Sequence, residues 1–383
     1  MTQLATMTTW HGGAGTLEFV SQLRSLALDA LPRMYVADER LFGWCIRRGA
    51  SGDVLEGLSR RYSAIVLIGL AAQEADVAAS VFPEGSGEAC ADRLLGDLDL
   101  MENLGDVALT LWAAVALRHP GADRALARLR ELSPANCSCP TVELAWALAS
   151  LSVATEVISD EYLASSVAAR LLHSFGEDSK LFPHWPGDVR SGWRRRHVTC
   201  FADWVYPVQA LAHYHIMTGD DRAIDVARQS AERRCATQGA AGQWWWHYDA
   251  RTGRVIEPYP VYAVHQDAMA PMALFVLQDA CGVDHSAAIN RGLDWLVRSA
   301  ERGDSLVDTE AKLIWRKVCR REPGKLSRVL QAAASRINPA LRVPALGRLF
   351  PPTRVDYECR PYHLGWLLYA FSDRRLACHH QAG

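Results

Sequence analysis

The chain has 383 residues, is 49% hydrophobic and 22% charged, and carries a formal net charge of −2. That balance excludes a disordered chain and any broad electrostatic attraction for nucleic acid, so an anion site has to be local. Length alone allows two or three domains.

The opening MTQLATMTTWHGGAG lacks a charged segment followed by an apolar run, and no stretch reaches ~18 uncharged apolar residues. A cytoplasmic protein with reduced thiols is expected. LSRRYSAIVLIGL (58–70) sets Arg60, Arg61 and Tyr62 before an apolar run. DRALARLRELS (123–133) has one apolar stripe and one polar face, as a partly exposed helix should. Cys137-Ser138-Cys139 is the one close cysteine pair; no second pair follows, so no metal site is expected. DRAIDVARQSAERR (221–234) and DHSAAINRGLDWLVRSAE (284–301) repeat the half-exposed pattern, with Asp220 and Asp221 as helix-capping residues.

A second kind of helix alternates with these. PTVELAWALASL begins at Pro140, PVQALAHYHIM at Pro207, PMALFVLQDA at Pro271 and PYHLGWLLYAF at Pro361. Ala268 to Leu277 carries no polar side chain, and a helix apolar all round is buried on all sides. Pro140, Pro207 and Pro271 recur about every 65 residues, and LFPHW (181–185) and WWWHY (244–248) recur with them. Exposed helices alternating with buried ones predict two concentric layers: an all-α fold, one α/α toroid over residues 1–383, with roughly ten to twelve helices. From 323 to 355 the pattern breaks into a proline-rich segment with Lys325, Arg328, Arg336, Arg342, Arg348 and Arg354 and no acid. It reads as a lid or excursion, and as a surface for peripheral membrane contact.

Candidate chemistry gathers where buried helices begin. WWWHYDARTGRVIEPYPVYAVHQDAMAP holds His247, Glu257, Tyr259, Tyr262, His265 and Asp267. His265 beside Asp267 is a pair able to move protons near neutral pH. Asp203, Trp204 and Tyr206 precede the Pro207 run in the matching place, so Asp203 and Asp267 are either a candidate acid pair or two helix caps, with Glu257 as a third carboxylate. Arg360 and His363 stand before the last buried run, and Arg194 to His197 lead towards Asp203. Trp244, Trp245 and Trp246 cannot all face one way. Trp245 and Trp246 are the candidates for a pocket wall.

Gln238 to Trp244 reads Q-x-x-x-G-x-W. This resembles the QW repeat of terpenoid cyclases, relatives of the protein prenyltransferase toroids, in which the glutamine and tryptophan tie outer helices together. The resemblance implies an isoprenoid substrate, an acidic group that protonates or ionises it, and aromatic faces that stabilise a cation. Mg²⁺ is implied only for a diphosphate substrate, and no other cofactor is expected. The cyclase D-x-D-D and D-D-x-x-D motifs are absent. By composition the chain also looks like six-hairpin glycosidases and sugar 2-epimerases, which line their pockets with Trp, His, Glu and Arg. The expected function is therefore a non-standard terpenoid cyclase; the alternatives are a carbohydrate hydrolase or epimerase, and a non-catalytic binding toroid.

Overall fold

The computed structural model describes residues 11–155, 157–187 and 196–382. Its helices are α1 (Ala14–Ala30), α2 (Arg60–Leu70), α3 (Ala75–Ala79), α4 (Glu88–Gly96), α5 (Leu104–Ala116), α6 (Ala122–Glu131), α7 (Thr141–Ala154) and α8 (Glu161–His173). They continue with α9 (Ala202–Thr218), α10 (Asp221–Ala236), α11 (Ala270–Cys281), α12 (Ser286–Val297), α13 (Leu326–Ile337), α14 (Leu346–Leu349), α15 (Pro361–Ala370) and α16 (Asp373–Ala382).

Helices α2, α5, α7, α9, α11 and α15 pack each against the next, and α15 returns to α2, closing an inner ring. Helices α1, α4, α6, α8, α10 and α12 lie outside it. Composition assigns the layers. In α5 nearly every residue from Leu104 to Val115 is buried. In α6 only Ala122, Ala125, Leu126 and Leu129 are, the single stripe of an outer helix. Helix starts are capped as polar side chains require: Ser59 accepts from Tyr62 N, Asn103 from Asp106 N, and Asp220 from Ala223 N.

The ring closes at two glycines. A Cβ on Gly69 would lie 2.1 Å from the carbonyl oxygen of Gly365, and one on Gly365 would lie 2.7 Å from that of Ile65. Here α2 and α15 touch backbone to backbone.

Two local features differ from the sequence reading. Helix α9 starts at Ala202, not at Pro207. The proline falls in its second turn, and its missing N–H leaves the Asp203 carbonyl without an intrahelical partner there. Short strands also gather at the ends where inner helices begin. Leu41–Gly49 pairs with Gly52–Leu58 and with Glu358–Cys359. Val198–Cys200 pairs with His247–Asp249, and Lys317–Cys319 bridges Arg354–Asp356 and Val261–Tyr262. Most are two or three residues long, too short for an alternating pattern to register. The 323–355 segment contains α13 and α14.

Alanine in a helix interior is normally favoured over glycine by up to about 1 kcal/mol. Gly69→Ala and Gly365→Ala are expected to reverse that sign, each destabilising by roughly 1–3 kcal/mol through overpacking. Denaturant unfolding of the two variants measures this, and a stabilised variant would show that the helices do not meet there.

Candidate active site

The leading ends of the inner helices surround a cavity of about 200 Å³. Arg61, Tyr62 and Ile65 reach it from α2, Val142 and Trp146 from α7, Ala202 and Tyr206 from α9, and Tyr362 from α15. Trp246, Tyr262 and Arg316 close it from the rim, and His265 and Met269 enter from the segment before α11. That segment, His265–Met269, is a π-helical turn. Such turns insert an extra residue and re-aim side chains, often at functional sites.

Among the described residues, His265 is the one imidazole on this wall. It stacks between Phe201, at a ring separation of 3.9 Å, and Trp246, at 5.5 Å. Its Nδ1 has no hydrogen-bond partner among the described residues. Burial pushes its pKa down to about 3, so the ring is neutral at physiological pH.

Two guanidiniums share the wall. Arg61 donates to Asp106 at 2.6 Å and to Asn103 at 2.8 Å, with its face towards Trp146. Arg316 donates through Nη1 to Glu358 at 2.8 Å, while its Nε has no partner among the described residues. Burial acts to raise the Glu358 pKa, but the hydrogen bond from Arg360 and the charges of Arg316 and Arg360 hold it at about 2. Arg360 also donates to the Tyr62 hydroxyl at 2.9 Å and lies over Trp44. Trp44 stacks on Tyr62 and lines a neighbouring cleft of about 440 Å³, which shares Arg61 and Tyr62 with the cavity.

Of the residues expected from sequence, His265, Trp246, Tyr262 and Tyr206 meet on this wall. Others stand behind it. Asp267 is fully buried; its Oδ1 lies 2.7 Å from His363 Nε2, and its Oδ2 has no partner among the described residues. Asp203 is fully buried and accepts from Cys200 N at 2.8 Å, with His184 Nδ1 at 3.0 Å. Glu257 pairs with Arg320 at 2.8 Å; burial raises its pKa against that partner. Trp204 stacks on Trp244 in the core. Trp245 is half-buried against Tyr259, whose hydroxyl donates to Glu301 at 2.9 Å. His247 is buried in its strand. The three tryptophans thus divide: Trp244 packs inward, Trp245 packs on Tyr259, and Trp246 faces the cavity. Arg194 and Arg195 lie outside the described residues; His197 is buried, its Nε2 3.0 Å from Ser335 Oγ.

Trp146, Arg316 and Tyr362 were not anticipated. Tyr362 occupies the first turn of an inner helix, the position already marked by Arg61 and Tyr62, so the sequence held a signal for it; Trp146 lies one turn further into α7. Arg316 comes from an irregular segment and has none. One donor atom from each of His184, Cys200 and Asp203 lies within 4.8 Å of the other two, a group able to hold a metal ion that the sequence did not reveal.

No family model and no curated protein matches this chain. Its fold does have solved counterparts. A heparin-specific unsaturated glucuronyl hydrolase shares 12% identity at a TM-score of 0.61, over 97% of this chain and 98% of that one. Cellobiose 2-epimerase from Bacillus thermoamylovorans shares 12% at a TM-score of 0.63, over 94% of this chain and 100% of the other. A sugar epimerase from a ruminal bacterium shares 10% at 0.60, over 92% and 97%. The chain has the fold of the six-hairpin sugar enzymes. This overturns the terpenoid cyclase and prenyltransferase resemblance, and the isoprenoid chemistry drawn from it. In this six-hairpin toroid the Q-x-x-x-G-x-W stretch is a local clasp. Gln238 Nε2 donates to the carbonyls of Gly242 and Ala288, and its Oε1 accepts from Arg291 of α12. Gly242 has φ +93°, and a Cβ there would come within 1.8 Å of the Arg291 carbonyl oxygen. No helix among the described residues is long and apolar enough to cross a membrane.

Burial holds His265 and His213 neutral, with pKa values of about 3 and 4. Below about pH 6.5 the unfolded chain takes up protons that the folded chain refuses. Folding stability should therefore decline as pH falls from about 6.5 towards 3. His265→Phe keeps the stacked ring and is expected to lessen that decline by one proton. Denaturant unfolding between about pH 7 and 4.5 reads the difference; equal slopes would mean that His265 is not held neutral.

Proposed function

We propose that the protein is a carbohydrate-active enzyme of the epimerase kind, moving a proton on and off a carbon of one sugar unit held in the central cavity. The composition of the wall carries this reading. A neutral imidazole and two guanidiniums stand among aromatic faces, with no carboxylate among the described lining residues. Glycoside hydrolysis generally needs two carboxylates flanking the bond, so the wall favours an epimerase over a hydrolase. The resemblance in fold to enzymes named as sugar epimerases supports the same choice. Aromatic faces stack on sugars, and a cavity smaller than the ~300–1,000 Å³ of most ligand sites suits a single sugar unit. The neighbouring cleft beside Trp44 has room for a second.

In the proposed reaction the open-chain sugar presents its carbonyl to Arg61 and Arg316. The C2–H bond breaks, its proton passes to the His265 imidazole, and the electron pair moves to the carbonyl oxygen as an enediolate. The arginines stabilise that oxyanion. A base of such low pKa is weak alone, but the imidazolium forms beside a new negative charge, so the cavity gains no net charge. Return of a proton to the opposite face of C2 gives the epimer. Tyr62 is the donor assigned here: its oxygen accepts from Arg360, leaving its own O–H to give, and the imidazolium and phenolate left behind return to neutral by proton exchange with solvent before the next turnover.

Incubation of a panel of reducing sugars and uronates in D₂O, read by NMR, tests this. The expected product is a C2 epimer carrying deuterium at C2, with turnover lowered about 10²–10⁴-fold in His265→Asn. Bond hydrolysis without exchange, or unchanged turnover in the variant, would sink the proposal.

We propose further that 323–355 rests on an anionic membrane surface. Helix α13 is turned inside out. It buries Ser327, Gln331, Ala332, Ala334 and Ser335, while Leu326, Val329, Leu330 and Ile337 point outward, Ile337 being 82% exposed. Leu341 and Leu349, further along the segment, are also exposed. Lys325, Arg336, Arg342, Arg348 and Arg354 are exposed around it, with no acid in the segment. An apolar stripe rimmed by cations suits an acyl boundary beneath anionic headgroups. The protein is expected to sediment with vesicles containing phosphatidylserine and not with pure phosphatidylcholine, and Val329→Glu with Ile337→Glu should abolish this. Absence of binding to the anionic vesicles, or self-association lost in the double variant, would replace the lipid by nothing or by a second copy of the chain.

A further inference from the structure

We infer that His184, Cys200 and Asp203 form a zinc site behind the cavity wall, between the leading ends of the neighbouring inner helices α7 and α9. The site does not depend on the proposed sugar chemistry.

Its three residues are positioned by separate anchors. The segment carrying His184 is tied to α7: Thr141 N donates to the His184 carbonyl at 3.0 Å, and Thr141 Oγ1 to the Pro183 carbonyl at 2.5 Å. Asp203 lies in the first turn of α9, and Cys200 ends the strand before it. Asp203 Oδ2 accepts from Cys200 N at 2.8 Å, with Thr199 Oγ1 at 3.1 Å. Thr199 Oγ1 is itself 2.7 Å from the Phe182 carbonyl, so the carboxylate is oriented before any ion arrives. Outer contacts of this sort fix ligands and raise affinity.

Size and donor chemistry select the ion. Zinc bonds of about 2.0–2.3 Å in a tetrahedron place donor atoms about 3.3–3.7 Å apart. His184 Nδ1 already lies 3.0 Å from Asp203 Oδ1, and all three donors fall within 4.8 Å, so binding needs side-chain adjustment only. One nitrogen, one sulfur and one oxygen form a set for zinc; magnesium and calcium take oxygen. Asp203 is fully buried, while the His184 side chain is 47% exposed, so the site opens on one side. Three protein ligands with one open position is the pattern of zinc sites that hold water or substrate. The Cys200 thiol gives up its proton to solvent as the ion binds.

The full chain, stripped by chelator, is titrated with Zn²⁺ against a chromophoric competitor and with Co²⁺ followed by absorption. One equivalent of zinc per chain is expected, with a thiolate-to-cobalt charge-transfer band; Mg²⁺ should not compete. Cys200→Ser and His184→Ala should each abolish the band, and Thr199→Val should weaken zinc binding about 10–100-fold by releasing the carboxylate. Cys359→Ser, at a buried thiol elsewhere, should bind as the parent does. Circular dichroism checks folding, and His184→Ala decides the question should Cys200→Ser fail to fold. Substoichiometric zinc in the parent chain, or a band that survives His184→Ala, would overturn the inference.

Discussion

The toroid depends on backbone contact between its first and last inner helices. Gly69 and Gly365 let α2 and α15 approach until one helix lies against the carbonyls of the other. That contact joins residues nearly 300 positions apart and brings Tyr62 beside Tyr362, at a ring separation of 4.7 Å. It also lets Arg360 reach the Tyr62 hydroxyl. Were the helices spaced by ordinary side chains, the ring would open and this side of the cavity wall would come apart. The greasy inner helices supply the driving force for burial, but two absent side chains decide that they close.

Charge at the site is arranged in two depths. The wall carries Arg61, Arg316 and a neutral His265, while Asp267, Glu358 and Asp203 lie behind it. Glu358 is bonded to both Arg316 and Arg360, so it aims two cations while presenting no oxygen to the cavity. Asp267 holds the buried His363 ring at 2.7 Å, also behind the wall. The leading ends of inner helices add partial positive charge on the same side. A cavity built in this way receives an anionic or enolic oxygen more readily than it protonates an alkene, which is why the wall and the fold comparisons lead away from cyclase chemistry together.

Much of this architecture was legible in the sequence. Alternation of all-apolar and one-striped helices is a statement about layers, and prolines at a fixed spacing are a statement about repetition; together they specify a toroid. That a cavity opens at the leading ends of buried helices was legible for the same reason. Which side chain at each end faces inward was not. Asp203 and Tyr206 are three residues apart on α9, yet one is sealed behind the wall and the other lines it. Pro207 misplaced the start of that helix, and the π turn at His265 shifts register in a way that no apolar periodicity encodes. Arg316 and the His184–Cys200–Asp203 group come together only through the tertiary fold.

The Q-x-x-x-G-x-W stretch shows how a local motif can misdirect. A loop returning from α10 must be fastened to the next outer helix, α12, and α12 offers the Ala288 carbonyl and the Arg291 side chain. A neutral amide can donate to the first through its nitrogen and accept from the second through its oxygen. Glycine is required where the loop passes the Arg291 carbonyl at positive φ, and a buried tryptophan fills the space behind it. Glutamine, glycine and tryptophan at this spacing therefore answer a packing problem of this loop. The motif identifies how two outer elements are joined; the chemistry has to be argued from the cavity wall.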